Sequence, residues 1–293
     1  MPNHFVQPEQ KWPFRHAKVF TTLQGTRYLK EPGVVVIAQT STNIDNVDRF
    51  LEEFEFEEYL LDPTLLPHGE ALAKFGGQIC YMSLGKMRST NADAPKYIGH
   101  VMESGHGSVV EHASASVLVY GVSRSLTHEL VRHRAGTAFS QLSQRYVSGR
   151  LLRFVERPEY QNDPVLHEQF EKWIDLSSQE YEARAQQLLT NQQGGDEIMN
   201  AERKTDLRKK VNQAARSCLP NETETIMVFT GNVRAWRHIF EMRASEGAEV
   251  EIRRLIFLCF ELLKEVWPIL TQDYEVVELS DGTKAVATKY RKV

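Results

Sequence analysis

Between Ala113 and Arg134 the apolar period of the chain changes once. "ASASVLVYGVS" (Ala113–Ser123) alternates and reads as a strand, and "SRSLTHELVRHR" then turns helical, with Leu126, Leu130 and Val131 on one face. The same change recurs further on. "TETIMVFTG" (Thr223–Gly231) alternates like a half-buried strand, and "NVRAWRHIFEMRAS" and "AEVEIRRLIFLCFELLKEVWPIL" follow as helices. "GVVVIAQT" (Gly33–Thr40) reads as a buried strand and "YEVVELSDGTKAVATKY" as a hairpin turning at Asp281–Gly282. Helices are predicted in "NVDRFLEEFEFEEYL", from "HGEALAKFGGQICYMS", and in "NADAPKYIGHVMESGHGS", ending near Gly105. "DPVLHEQFEKWIDLSSQEYEARAQQLL" is a long helix with Asp163 as cap and Pro164 at its first position. Leu166, Phe170, Trp173, Ile174 and Tyr181 keep its period until "NQQGGD" breaks it. "KTDLRKKVNQAARSCLP" is a further helix, stopped at Pro220. Residues 1–31, with prolines at 2, 8 and 13, read as an irregular arm. Strands scattered among helices, not in βαβ units, predict an α/β fold of the α+β type.

A chain of 293 residues makes one large domain or two ordinary ones. Its net charge of −4 argues against a general nucleic-acid coat, so a basic stretch within it points to a small anionic ligand. Three cysteines far apart form no disulfide framework, and no CxxC pair offers a zinc site. No basic end followed by an apolar run opens the chain, and "RRLIFLCFELL" is too short and too flanked by charge to span a bilayer. A cytoplasmic setting without membrane association is expected.

The densest polar stretch is "THELVRHRAGTAFSQLSQRYV" (Thr127–Val147). Arg132, Arg134 and Arg145 stand there with His133 and a run of hydroxyls and amides. Arginine forks match phosphate oxygens. A helix C-terminus favours cations and explains one arginine, but not the "SQLSQR" that follows. That segment reads as a loop whose donors converge on an anion. In "ESGHGSVVEH", His106 and Ser108 occupy a Gly–His–Gly–Ser turn that could lean backbone N–H groups on a phosphate or a flavin ring, or be only a polar turn. His106 and His112 have no third ligand at metal spacing, so no metal is expected. The arginines of "GNVRAWRHIFEMRASEGAEVEIRRL" could equally serve salt bridges to Glu241, Glu246, Glu249 and Glu251. Cys259 reads as core and Cys218 as packing at a helix end.

Taken in order, "FGGQICYMS", "ESGHGSVVEHASASVLVYGVSRSLTHELVRHR", "SQLSQRYV", "QAARSCLPNETET" and "TGNVRAWRHIFEMRASEGAEVEIRRL" resemble the flavin-dependent thymidylate synthases, over roughly residues 70–290. RHR followed by a serine and Arg–Tyr is that family's signature. The resemblance implies a twisted, mostly antiparallel sheet flanked by helices, four chains assembled as a homotetramer, and active sites at their interfaces. It implies that dUMP becomes dTMP, with 5,10-methylenetetrahydrofolate as carbon donor and NADPH reducing a bound FAD. Residues 70–293 would be the catalytic domain and 1–69 an extension of unassigned role.

The resemblance also implies roles. His106, Ser108, Arg132, His133, Arg134, Gln141, Asn232, Val233, Arg234 and His238 would contact FAD. The nucleotide would lie on Glu129, Leu130, Val131 and Arg132, with its phosphate in the loop Gln141, Leu142, Ser143, Gln144 and Arg145 and against Arg216. Arg243 would polarise the pyrimidine ring, a preorganised charge replacing a cysteine nucleophile. Two positions depart from the family pattern. "AGTAFSQL" puts eight residues between RHR and Ser143 where seven are usual, so a bulge is expected within Ala135–Phe139, with Gly136 to permit it. Gly247 stands where a histidine near the flavin is common. A protein of this fold that binds FAD and a nucleotide but has reduced or altered methyl transfer is the alternative within enzymology. An RNA-binding protein recruiting Phe139, Tyr146, Trp236 and Phe240 is the alternative of another class.

Overall fold

A computed structural model describes residues 8–56, 66–85, 92–147, 152–192 and 201–291. In chain order the strands are β1 (Phe14–Arg15), β2 (Val19–Thr21), β3 (Arg27–Leu29), β4 (Gly33–Gln39), β5 (Ser114–Ser123), β6 (Thr137–Gln141), β7 (Arg153–Val155), β8 (Glu224–Asn232), β9 (Glu275–Glu278) and β10 (Lys284–Ala287). The helices are α1 (Ile44–Glu53), α2 (His68–Ile79), α3 (Ala94–Glu103), α4 (Arg124–Leu130), α5 (Pro164–Gln192), α6 (Ala201–Ala215), α7 (Val233–Arg243) and α8 (Val250–Val266). A five-stranded antiparallel sheet in the order β1-β4-β5-β8-β6 organises the rest. β2, β3 and β7 form a small sheet whose β3–β7 pairing is parallel, and β9 and β10 form a hairpin. The separated strands of the sequence predicted this mixed α+β class, and the mostly antiparallel sheet flanked by helices is what the resemblance implied.

The central pair carries the fold. β5 and β8 run antiparallel from Ser114↔Asn232 to Ser123↔Glu224, with an irregularity between Val119 and Val122. Their alternating side chains supply Val117, Val119, Met227 and Phe229 to the main core, which Trp236, Ile239 and Phe240 of α7 and Ile252, Leu255, Ile256 and Phe260 of α8 complete. The period-two pattern of the strands and the period-3.6 pattern of the helices meet on this face. Each fully buried Leu, Ile or Phe contributes about 1.5–3 kcal/mol there. Among the described residues no helix is both long and apolar enough to cross a membrane.

Several expectations are corrected. The described part of the supposed irregular arm holds β1, β2 and β3, and Tyr28 of β3 is buried with Phe154, Phe170 and Ile174. Strands of two and three residues are too short to show an apolar period. The polar second half of the 127–147 stretch contains β6, an edge strand with no fully buried position, which is why no alternation betrays it. On α5, Phe170, Ile174 and Tyr181 are buried as predicted, but Leu166 and Trp173 are exposed. The helix expected from Asn46 to Leu60 is α1, ending at Glu53, and positions 57–60 of that expectation lie outside the described residues. So does most of the break expected at 191–196.

Candidate active site

The RHR segment is aimed by a short, heavily tethered helix. Ser123 caps α4, its Oγ accepting from Leu126 N at 3.1 Å. Ser123 in turn donates from N and Oγ to the two Glu251 oxygens, both at 2.7 Å. α4 ends at Leu130, so Arg132, His133 and Arg134 stand just beyond its C-terminus, where cations are favoured. Arg132 and Arg134 are exposed, and among the described residues neither forms an ion pair. His133 is half-buried, and its Nε2 accepts from Arg243 Nε at 3.0 Å. An Nε2 that accepts leaves the imidazole proton on Nδ1. Burial, then the Arg243 charge and His238, push the His133 pKa down to about 4. The histidine between two arginines is therefore neutral near pH 7.

α7 carries the second set of residues on separate faces. Its cap is Asn232, whose Oδ1 accepts from Ala235 N at 2.8 Å, and whose own N donates to Gly136 O at 3.0 Å. Asn232, Arg234 and His238 line a cavity of about 510 Å³ together with Gly136 and Glu111. Arg234 Nη1 donates to Glu111 Oε1 at 2.6 Å. Buried Gly107 lies against Arg234 so closely that a Cβ there would come 2.8 Å from Nε, which brings the His106–Ser108 turn to the same wall. His133 and His238 meet edge to face, with centroids 5.5 Å apart. Arg243, at the end of α7, also donates from Nη1 to Glu129 Oε2 at 2.6 Å. Among the described residues its Nη2 has no partner.

Gly136 takes φ +69°, and a Cβ on it would meet Asn232 Nδ2 at 2.7 Å. A turn at Ala135–Gly136 leads from RHR into the strand that follows, within the segment where a bulge was expected. β6 then pairs Thr137↔Gly231 through Gln141↔Met227 and carries the chain to the second anion candidate. Ser140 and Gln141 belong to this strand and not to a loop. The Gln141 amide nitrogen donates to Thr127 and Thr225 hydroxyls at 3.1 and 3.2 Å, leaving its oxygen for other partners. The loop proper begins at Leu142. There Gln144 Nε2 and Arg145 Nε are buried with no acceptor. Two buried donors without an acceptor cost roughly 1–3 kcal/mol each, a cost that a bound anion removes.

Not every predicted residue presents its side chain. Leu130 and Val233 are 1% exposed and belong to the main core, so only their backbone could face a ligand, and Val233 N is already bonded to Ala113 O. Val131 packs on the same core. Arg216 follows α6 in a 3-10 turn and lies near Arg124, whose pKa is lowered by burial and by the Arg216 charge. Arg124 and Arg291 escaped the sequence reading. An arginine at the first position of a helix opposes the helix dipole, and that was the available sign for Arg124. Glu111 was visible in its motif without a role, and Arg291 has no local pattern at all. Cys218 Sγ donates to Ala215 O at 3.2 Å, and Cys259 is buried with its thiol pKa pushed up by burial. Gly247 is exposed, with open space where a side chain would be.

Residues 59–269 match the family described as "Thymidylate synthase complementing protein". The chain is 46% identical over 220 residues to a flavin-dependent thymidylate synthase of Mycobacterium sp. (strain JLS), covering 75% of this chain and 85% of the relative. It is similar to proteins of the same name from Mycobacterium avium (strain 104), at 45% over 223 residues, and Mycobacterium leprae (strain Br4923), at 42% over 220. Both alignments cover the same shares, 75% of this chain and 85% of the relative.

Proposed function

The chain belongs to the flavin-dependent thymidylate synthase family, and from that membership we propose that it methylates dUMP to dTMP with FAD seated in the α7 cavity. The observation that carries the reading is the fork of Arg243, fixed by His133 and Glu129 with Nη2 left for a ligand. A guanidinium held in this way offers positive charge to a pyrimidine carbonyl without reorganising during the reaction.

The residues present fit a flavin dinucleotide. The cavity of about 510 Å³ lies within the roughly 300–1,000 Å³ of small-ligand sites. Arg234, His238 and the Asn232 amide supply polar contacts, the His106–Ser108 turn adds backbone groups, and Arg132 and Arg134 stand with unpaired charge beside His133. Bound flavin supplies the hydride. The chain's own residues place the reactants: Gln144, Arg145, Ser143 and Arg216 hold the nucleotide phosphate, and Arg243 stabilises negative charge developing on the ring. Neutral His133 keeps Arg243 in register by accepting from it and does not act as an acid. Turning uracil into thymine requires a one-carbon unit at the methylene level and a hydride. 5,10-Methylenetetrahydrofolate as carbon donor and NADPH as reductant of the flavin meet that balance.

The chain assembles as a homotetramer in this reading, with exposed Trp173 and Leu176 of α5 among the apolar area available for association. The test is dTMP formation from dUMP, methylenetetrahydrofolate and NADPH by protein carrying a flavin spectrum. Flavin binding with no dTMP would leave only a flavin- and nucleotide-binding protein, and absence of flavin would overturn the site as a whole.

A further inference from the structure

The wall of the α7 cavity includes one residue from the far end of the described chain, Arg291. The tail that bears it is held to α7 by a relay of contacts. Arg237, on the buried side of α7, donates from Nη1 and Nη2 to the two Asp273 oxygens, each at 2.8 Å. Asp273 accepts from Thr288 Oγ1, and Thr288 Oγ1 accepts from Tyr290 N at 3.0 Å. Val286 N donates to Ala244 O at 2.8 Å, just past the end of α7, and Tyr290 packs against the main core. These ties bring Arg291 to the helix face that bears Arg234, His238 and Glu241, positions spaced by four and three residues.

The charges around the cavity are unevenly matched. Arg234 is neutralised by Glu111 at 2.6 Å. Arg291 is 76% exposed, and its nearest carboxylate, Glu241, lies 3.9 Å away. A pair that exposed and that long contributes little, so of the two arginines lining the cavity Arg291 is the less compensated. An arginine with little to lose by leaving its carboxylate, one residue beyond the tethered Tyr290, suits an anion arriving in the cavity. We propose that Arg291 is a phosphate-binding residue of this cavity, holding the diphosphate of the flavin dinucleotide beside Arg234. The inference rests on the reading that FAD occupies the cavity.

The test compares flavins with and without phosphate. The full chain, freed of flavin by dialysis, is titrated with FAD and with riboflavin, following flavin fluorescence, for the wild type, Arg291→Ala and Arg291→Lys. Arg291→Ala should weaken FAD about tenfold or more, as expected for loss of a charge-assisted bond, and leave riboflavin unchanged. Arg291→Lys should recover part of the loss. The FAD affinity of Arg291→Ala should also depend less on salt than that of the wild type. Wild-type FAD affinity in Arg291→Ala would overturn the inference and leave the flavin site standing. Equal weakening of FAD and riboflavin would overturn it too, since a structural effect would then suffice. Failure of the wild type to bind FAD would remove the flavin reading and the inference together.

Discussion

Arg243 Nε donates to His133 Nε2 across 3.0 Å, so the middle residue of RHR acts as an acceptor and cannot carry a second proton while the bond persists. The signature histidine orients the arginine that ends α7, and Glu129 of α4, four residues before it, accepts from the next nitrogen of the same guanidinium.

The first prediction concerns that guanidinium. Arg243→Ala should retain flavin and lose about 100- to 1,000-fold in turnover, the usual effect of removing one preorganised charge-stabilising group. Single-turnover dTMP formation, read beside the flavin spectrum, decides it. Turnover within a few-fold of the wild type would show that Arg243 does not face the reacting ring.

His133 supplies a prediction in pH. Burial, followed by the Arg243 charge, holds its pKa at about 4 against an unfolded value of 6.5. The unfolded chain therefore takes up a proton at this site before the folded one does, and the site's contribution to stability falls as pH drops from about 6.5 to about 4. In NMR titrations the His133 ring should titrate near the lower value. Arg243→Ala should move it part of the way back, because burial remains. A midpoint near 6.5 in the wild type would contradict the neutral, accepting imidazole.

Arg145 tests the phosphate loop. If its guanidinium, whose buried Nε lacks an acceptor, holds the phosphate, Arg145→Ala should weaken dUMP about 10- to 150-fold, the range for a charge-assisted bond. Deoxyuridine, which has no phosphate, should lose much less, and bound flavin should stay in place. Calorimetric titration of both ligands makes the comparison. Equal weakening would indicate a contact to the pyrimidine or a disturbed fold.

Gly136 tests the turn between the two anion candidates. Alanine there must adopt φ +69° and push a methyl group toward the Asn232 amide, the cap of α7. The left-handed conformation costs about 1–2 kcal/mol and a weakened cap about 1 kcal/mol more. Gly136→Ala should therefore lower the melting temperature and loosen flavin binding. An unchanged melting curve would mean that the cap and the turn are not coupled.

Where side chains face a core, the sequence was readable. β5, β8, α7 and α8 bury one regular stripe each, and their periods show it. Where structure rests on hydrogen bonds among polar residues, it was not. β6 has no apolar stripe to display, and β1 to β3 are too short to have one. Trp173 obeys the helical spacing of α5 and is still exposed, because periodicity reports which residues could share a face and not whether anything covers it. The same limit holds at the site. Residue types and order marked the RHR segment and the Ser143–Arg145 loop as places for anions, and resemblance alone singled out Arg243, but that Arg243 is oriented by His133 and Glu129 depends on a fold that brings together positions 110 and 114 residues apart. Arg291, further still from the motifs, left no trace in them.

The antiparallel pairing of β5 with β8 has a geometric consequence. α4 starts where β5 ends and α7 where β8 ends, so the two helices set out from opposite ends of one strand pair. α4 rises about 10 Å and α7 about 16 Å. His133, three residues past the end of α4, and Arg243, the last residue of α7, meet although their helices start from opposite ends of the pair. One residue added to either helix would advance its end by about 1.5 Å and swing it by about 100°. That is enough to part a 3.0 Å bond. The ends of α4 and α7 are therefore constrained by one another through the guanidinium that joins them to His133 and Glu129.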